Sequence, residues 1–326
     1  MKRYLPLLLL IFILPTQAQY HGVKPMLGEL IELHDPHLVG CWLMNEGGGD
    51  TIYDLSGNGN DGTLTGDTHW VPGKYGSCLD FDGDGDYVQI TDDATLSFGD
   101  GTNDSPFSIV AWVNMDDATE FYIMSKGPVD DISGDEWLFS VNDDDKLYFR
   151  VTDNSPGNRE EVISDNTVTS DEGTWVQYVA TYDGRGGEDA QNGLFIYRNG
   201  QFIAQTQTDQ GSYTAMHDTS SPVFIGALWP EEPHPYGGES NGAIDNVMIY
   251  NRALGADEIQ QPYSDPFCMF RVVRPELYVT SGGEPSGGGR VIFIMSTLGW
   301  PLLIIVVVSL SFYWIGGRDG PEKTQW

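Results

Sequence analysis

Along the middle of the chain, apolar and polar residues alternate over short runs that Gly, Asp and Asn interrupt. A period of two marks β-strands with two unlike faces. In residues 107–114, Phe107, Ile109, Ala111 and Val113 share one face, and Ser108, Val110, Trp112 and Asn114 share the other. Leu147, Phe149 and Val151 alternate with Lys146, Tyr148, Arg150 and Thr152. Val176, Tyr178, Ala180 and Tyr182 alternate with Trp175, Gln177, Val179 and Thr181. Residues 194–198 and 201–207 flank Asn199-Gly200, a dipeptide that suits the positive φ angles of a two-residue hairpin. Asp143-Asp144-Asp145 predicts a second hairpin tip. Away from the chain ends, helical signal is confined to residues 255–261. Roughly a dozen strands without βαβ spacing predict an all-β fold, an antiparallel sandwich.

Both ends carry a different pattern. Lys2 and Arg3 precede an apolar run from Leu5 to Leu14, and Thr16-Gln17-Ala18 supplies small residues for cleavage. Residues 1–18 thus read as a secretory signal, too short in its apolar part to span a bilayer. Residues 291–315 hold no charge, and this length meets the ~20 residues a membrane helix needs. Trp300-Pro301 predicts a kink in it, and Tyr313 and Trp314 suit an interfacial belt. Between these ends, residues 19–36 form a leader, 37–261 the sandwich, and 262–290 a stalk with Pro262, Pro266, Pro275 and Pro285. Residues 316–326 are a short tail.

Charge narrows the function classes. The 326 residues carry 48 Asp+Glu against 16 Lys+Arg, a formal net charge of −32. Nucleic-acid binding requires clustered Lys/Arg and is excluded as a function class. All the acids but Asp319 and Glu322 lie before residue 290, on the part the signal would send out of the cytoplasm. Hard oxygen donors in that compartment suit calcium. Three cysteines share it, and none has metal-site spacing. Cys41 and Cys78 both fall on predicted strands and are the candidate disulfide; the alternative is two buried thiols.

Five segments carry a resemblance, in order. They are LVGCWLMNEGGGDTIYDLSGNGNDGTL (38–64), GSCLDFDGDGDYVQI (76–90), FSIVAWV (107–113), TWVQYVATYD (174–183) and GAIDNVMIYNRALGADEI (242–259). Together they resemble the LamG-like jelly-roll domains of the concanavalin A-like class, over about residues 37–261. The resemblance implies a jelly-roll sandwich whose last strand lies beside its first. It also implies a binding or adhesive module, usually not an enzyme. Physically, Trp42 is a large anchor for the first strand, and Gly57, Gly59 and Gly62 permit positive φ in the loop that follows.

Three candidate sites follow. Jelly-roll relatives often tie the first strand to the last with a structural calcium, and Glu46, Asp54, Asn58 and Asp245 match those positions in kind. Alternatively, Asp54 and Asn58 only cap the loop through Asx-turns. The stretch from Asp80 to Thr91 has Asp80, Asp82, Asp84 and Gly85 where a calcium-binding EF-hand loop has them. Thr91 replaces its bidentate Glu and no helix flanks it, so it reads as an Asp-Gly turn between strands holding Phe81 and Tyr87. Tyr122, Trp137, Tyr148, Tyr213, Trp229 and Tyr236 are candidate platforms for sugar rings, with core packing as the competing role.

Catalysis finds little support. Retaining glycoside hydrolases of this fold class place two Glu and an Asp on alternating positions of one strand. Glu160-Glu161, Glu188-Asp189 and Asp135-Glu136 each lack a member. The expected function is therefore a membrane-anchored recognition module for a glycan or protein ligand; a structural surface protein packing against its neighbours is the alternative. Protease added outside intact cells should remove residues 19–290, as read by immunoblotting of an epitope placed there. Complete protection of that region would refute the topology.

Overall fold

The computed structural model describes residues 12–19, 31–33, 35–127, 135–153, 155, 157–228, 230 and 238–278. Residues 291–315, most of the expected signal sequence, Trp229 and Tyr236 lie outside these. Among the described residues no helix is long and apolar enough to cross a membrane.

In chain order the strands begin with β1 (Phe12–Gln19), β2 (Ile31–Leu33), β3 (Leu38–Trp42), β4 (Thr51–Ile52), β5 (Gly62–Thr65), β6 (His69–Pro72), β7 (Ser77–Asp82) and β8 (Tyr87–Ile90). Next come β9 (Phe107–Met115), β10 (Tyr122–Lys126), β11 (Trp137–Val141), β12 (Leu147–Thr152), β13 (Arg159–Ser164), β14 (Val176–Tyr182) and β15 (Leu194–Arg198). The series closes with β16 (Gln201–Phe202), β17 (Gln205–Gln210), β18 (Val223–Ile225), β19 (Ala227–Leu228), β20 (Gly238–Glu239), β21 (Asn241–Tyr250), helix α1 (Ala256–Ser264) and β22 (Phe270–Tyr278). Two compact units result, residues 19–271 and residues 1–18 with 272–326. In the second unit β1 pairs with β22.

The first unit is a two-sheet sandwich. One sheet has nine strands in the order β17-β13-β12-β11-β10-β18-β8-β5-β4. The other runs β16-β15-β14-β9-β21-β7-β6, with β3 also on β21. Their facing sides bury one apolar core that includes Phe107, Ile109, Ala111, Val113, Phe149, Val151, Tyr178, Ala180 and Tyr182. In each strand these are residues that alternation groups on a single face, and the structure turns that face inward.

The last strand does lie beside the first: β21 pairs with β3, with Val247 opposite Trp42. Trp42 is fully buried, and its Nε1 donates to the Asn60 carbonyl at 2.7 Å. A Cβ on Gly40 would meet the Trp42 ring at 2.4 Å, so the strand needs glycine there. Gly57 and Gly59 take positive φ as expected, with φ of 94° and 82°. Gly62 does not; it lies in β5, where a Cβ would strike Val88 and Ile52.

Three expectations are corrected. Residues 201–207 do not continue one hairpin arm: β16 pairs with β15, and β17 then crosses to β13 in the other sheet. The Asn199-Gly200 turn itself forms, both residues at positive φ. No disulfide joins Cys41 and Cys78; both are buried. Cys41 stands opposite Met248, and Leu79 opposite Ile244, so the two cysteines lie end to end along the same side of β21 instead of across from each other. Residues just past 261 are no stalk: α1 continues through Pro262, and Phe267, Met269 and Phe270 are buried. The second face of β9 is covered as well. Trp112 stacks on Tyr263 with ring centroids 5.8 Å apart and meets Tyr75 edge-on at 5.7 Å.

Replacing Trp42 removes the largest anchor of β3. Trp42→Ala should lower stability by about 3–5 kcal/mol, read from equilibrium urea unfolding. A loss under about 1 kcal/mol would show that β3 does not depend on this ring.

Candidate functional site

The calcium quartet is divided among separate tasks. Asp54 accepts from the Cys41 N–H at 2.9 Å, the Ser56 N–H at 2.8 Å, the Ser56 hydroxyl at 2.7 Å and the Asn60 N–H at 3.1 Å. Asn58 donates to the Val39 carbonyl at 3.0 Å. Glu46 accepts the Tyr53 N–H at 3.0 Å. Asp245 is fully buried in β21 and accepts the Tyr75 N–H at 3.0 Å. With its amide oriented to satisfy its neighbours, Asn246 donates to Asp245 at 3.1 Å and to the Leu43 carbonyl at 3.2 Å. Glu46, Asp54 and Asp245 do not bring ligating atoms within 4.8 Å of one another. Asp54 thus ties the loop to β3 as an Asx-type staple.

The aromatic candidates divide between core and surface sheet. Trp137 is in the core, its Nε1 donating to the Leu96 carbonyl at 3.2 Å. Tyr213 is in the core too; its hydroxyl and that of Tyr182 donate to Asp104 at 2.7 Å and 2.6 Å. Burial lifts the Asp104 carboxyl, against the hydrogen bonds from Tyr182, Tyr213 and the Met216 N–H that hold it down. Tyr122 and Tyr148 belong to a second apolar cluster with Leu138, Leu228 and the half-buried Ile163. Strand register puts it on the side of the nine-stranded sheet turned away from the core: Tyr148 is opposite Ile163, whereas Phe149 and Val162 are core residues.

Charged groups interleave with this cluster. Tyr148 Oη donates to Glu161 Oε2 at 2.7 Å. Arg159 Nε donates to the same oxygen at 3.1 Å, and Gln210 Nε2 to Glu161 Oε1 at 2.6 Å. Arg150 donates to Asp135 at 2.6 Å. Burial alone would lower the Arg150 pKa, and Asp135, Tyr148 and Glu161 together more than offset it. The Tyr148 hydroxyl is pushed up to about 12, first by burial, with Arg150 opposing. Toward the β17 edge the face opens: Arg159, Ile163, Thr208 and Gln210 are partly exposed.

Adjacent acids are separated by strand alternation. Glu161 joins the outer network; Glu160 turns inward, accepts the Gln191 N–H at 3.2 Å and stands opposite Asp209. Its carboxyl is pushed up to about 8, first by burial and then by the Asp209 carboxylate. Asp135 serves Arg150, while Glu136 turns in toward Lys126 Nζ at 3.5 Å and accepts the Thr219 hydroxyl at 2.8 Å. Burial pushes Glu136 up to about 7, against Lys126. Lys126 Nζ also donates to Asp92 at 2.5 Å and to the Ser221 carbonyl at 2.7 Å.

Comparison places the chain in a family. The model described as the concanavalin A-like lectin/glucanases superfamily matches residues 82–260, and the chain belongs to that family. No curated protein matches it. Among solved structures, the binding domain of Paraclostridial mosquitocidal protein 1 aligns at 18% identity and TM-score 0.50, over 71% of this chain and 52% of that one. The binding domain of botulinum neurotoxin serotype G aligns at 13% identity and TM-score 0.49, over 69% and 50%. Domain 4 of AbnA, a GH43 extracellular arabinanase from Geobacillus stearothermophilus, in complex with arabinotriose, aligns at 17% and 0.47, over 70% and 98%. The chain spans about half the length of the two toxin domains. At 18% identity, the likeness to the mosquitocidal protein's binding domain shows the fold alone.

Glu160 sets a pH dependence. A carboxyl whose folded pKa lies above its unfolded value favours folding below the unfolded pKa, near 4.5, and that contribution is lost as pH rises through the folded value, about 8. Glu160→Gln should therefore raise the melting temperature relative to wild type at pH 8.5 and give no such gain at pH 4. Thermal melts at the two pH values check this; an equal shift at both would refute it.

Proposed function

We propose that this protein is a non-catalytic recognition module that holds a glycan on the outer face of the nine-stranded sheet. The observation that carries the reading is the composition of that face. Ile163 offers a partly exposed apolar patch over the buried Tyr148, and Arg159, Thr208 and Gln210, also partly exposed, border it with donors and acceptors, with Glu161 buried beneath them. Sugar rings present apolar faces and hydroxyls in this combination, which a partly exposed apolar patch and fixed polar groups match. The buried Glu161 carboxylate already orients Arg159 and Gln210, so little side-chain freedom is lost on binding. Membership of the concanavalin A-like lectin/glucanases superfamily supports the same reading.

Catalysis is no part of this proposal. The acids of this face, Asp135 and Glu161, are engaged by arginines, and Glu160 is turned to the opposite side of its strand. The apolar run 291–315 supports display of the module outside the cytoplasm on a single membrane helix, with the signal-like residues 1–18 directing export. The acidic surface disfavours anionic partners, so the ligand is a neutral or cationic glycan.

The test is a glycan array probed with the full-length protein in detergent, followed by titration of the best ligand. Arg159→Ala and Gln210→Ala should each weaken binding about tenfold, the equivalent of one lost charge-assisted hydrogen bond. Thr63→Ala, on β5, should leave it unchanged. Binding that survives both face variants would move the site elsewhere, and no binding to any glycan would end the proposal.

A further inference from the structure

The chain passes from one sheet to the other twice at one corner of the sandwich. Gly66-Asp67-Thr68 link β5 of the nine-stranded sheet to β6 of the other, and the turn at Gly83–Gly85 links β7 back to β8. This corner brings together side chains that no local motif joins. Carboxylate oxygens of Asp67, Asp82 and Asp86 lie within 4.8 Å of one another. Among the described residues this is the one group of three or more acid, His or Cys side chains so gathered.

Three acids on a surface do not make a site, and two are exposed here. Asp86 is different. It is fully buried; its Oδ2 accepts the Asp82 N–H at 3.2 Å, while its Oδ1 has no hydrogen-bond partner. A buried carboxylate oxygen left without a donor costs free energy of a few kcal/mol, so such atoms are normally satisfied. No base stands among the three acids to pay that cost. The backbone also closes on this atom: a Cβ on Gly66 would meet Asp86 Oδ1 and the Gly85 carbonyl oxygen, each at 2.4 Å. Gly66, at φ 76°, therefore lets the backbone pass close against a buried carboxylate oxygen and a backbone carbonyl, an approach that any side chain would block. Burial, with the Asp82 and Asp67 charges in smaller measure, lifts the Asp86 carboxyl, against the backbone N–H groups of Asp82 and Asp67. Asp82 and Asp84 are further arranged by the Asp84 N–H donating to Asp82 Oδ1 at 2.9 Å.

We propose that Asp67, Asp82 and Asp86 bind a divalent cation, calcium by ligand type, which ties both sheet-to-sheet crossovers together. Three carboxylates and nearby carbonyls are hard oxygen donors, and turns of this kind supply the flexible, oxygen-rich coordination calcium takes. The ion satisfies the orphan oxygen and relieves the repulsion among the three acids. Its effect is on the folded state, so it stabilises the protein by mass action.

The test is a thermal melt and a calcium titration of the full-length protein, with calcium chloride against EDTA. Wild type should melt several degrees higher with calcium. Asp67→Asn, at an exposed position, and Asp86→Asn should each weaken calcium binding at least tenfold and remove most of the shift. Asp84→Asn should leave both intact. If Asp86→Asn fails to fold, Asp67→Asn alone decides. A shift that persists in Asp67→Asn but disappears in Asp245→Asn would overturn this site and move the ion to the first-strand edge. Indifference of wild type to calcium up to millimolar concentration would also overturn it.

Discussion

The hydrogen bonds of β21 hold the sandwich together. On one side the strand pairs with β9 from Gly242 to Tyr250; on the other it pairs first with β7 and then with β3. One strand thus collects three that are remote in sequence. That arrangement is possible only because β3 and β7 lie end to end along a single edge. Asn246, at φ 50°, lets the strand change register between Asp245 and Met248, where the edge passes from one neighbour to the other. Loss of regularity there is the cost of seating two partners on one strand. Asp245 sits at this junction, and its buried charge is met by amide donors.

An acidic chain must decide where its carboxylates go. Most remain on the surface, but several are drawn inside and matched one by one. Asp171 is held by the Arg198 guanidinium and the Tyr178 hydroxyl, Asp104 by two tyrosines, and Glu136 by Lys126 and Thr219. Such pairs add little net stability, because desolvation offsets most of the attraction. Breaking one would be costly, and their value lies in fixing loops to strands: Asp104 pins the segment around Tyr213 and Met216 against the core.

The outer face of the nine-stranded sheet and the Asp67–Asp82–Asp86 corner share an origin. Each is assembled by pairings between distant parts of the chain, β12–β13–β17 in one case and the β5–β6 and β7–β8 corners in the other. Nothing in a local window announces either. Asp82 and Asp84 were visible as a calcium-like spacing, but Asp67, the residue that gives the cluster its third carboxylate, belongs to another turn.

Alternation along the chain determined the strands, their inward residues and the sandwich class, because a period of two is a property of the backbone alone. Phe107, Ile109, Ala111 and Val113 could be grouped on one face from their spacing, the face that proves to be the core, and the Asn199-Gly200 turn could be read from the φ angles those residues tolerate. Segment order carried the family. What spacing could not supply was whether the opposite face of a strand met water, a helix or a ligand. Trp112, on the polar-looking side of β9, is buried because α1 brings Tyr263 onto it. Glu160 and Glu161 are neighbours in sequence, yet one lies under the sheet and the other on it. The crossing of β17 to the second sheet and the separation of Cys41 from Cys78 were likewise tertiary decisions. Pairing between distant strands depends on which apolar faces meet, and that is a property of the whole chain, not of any window within it.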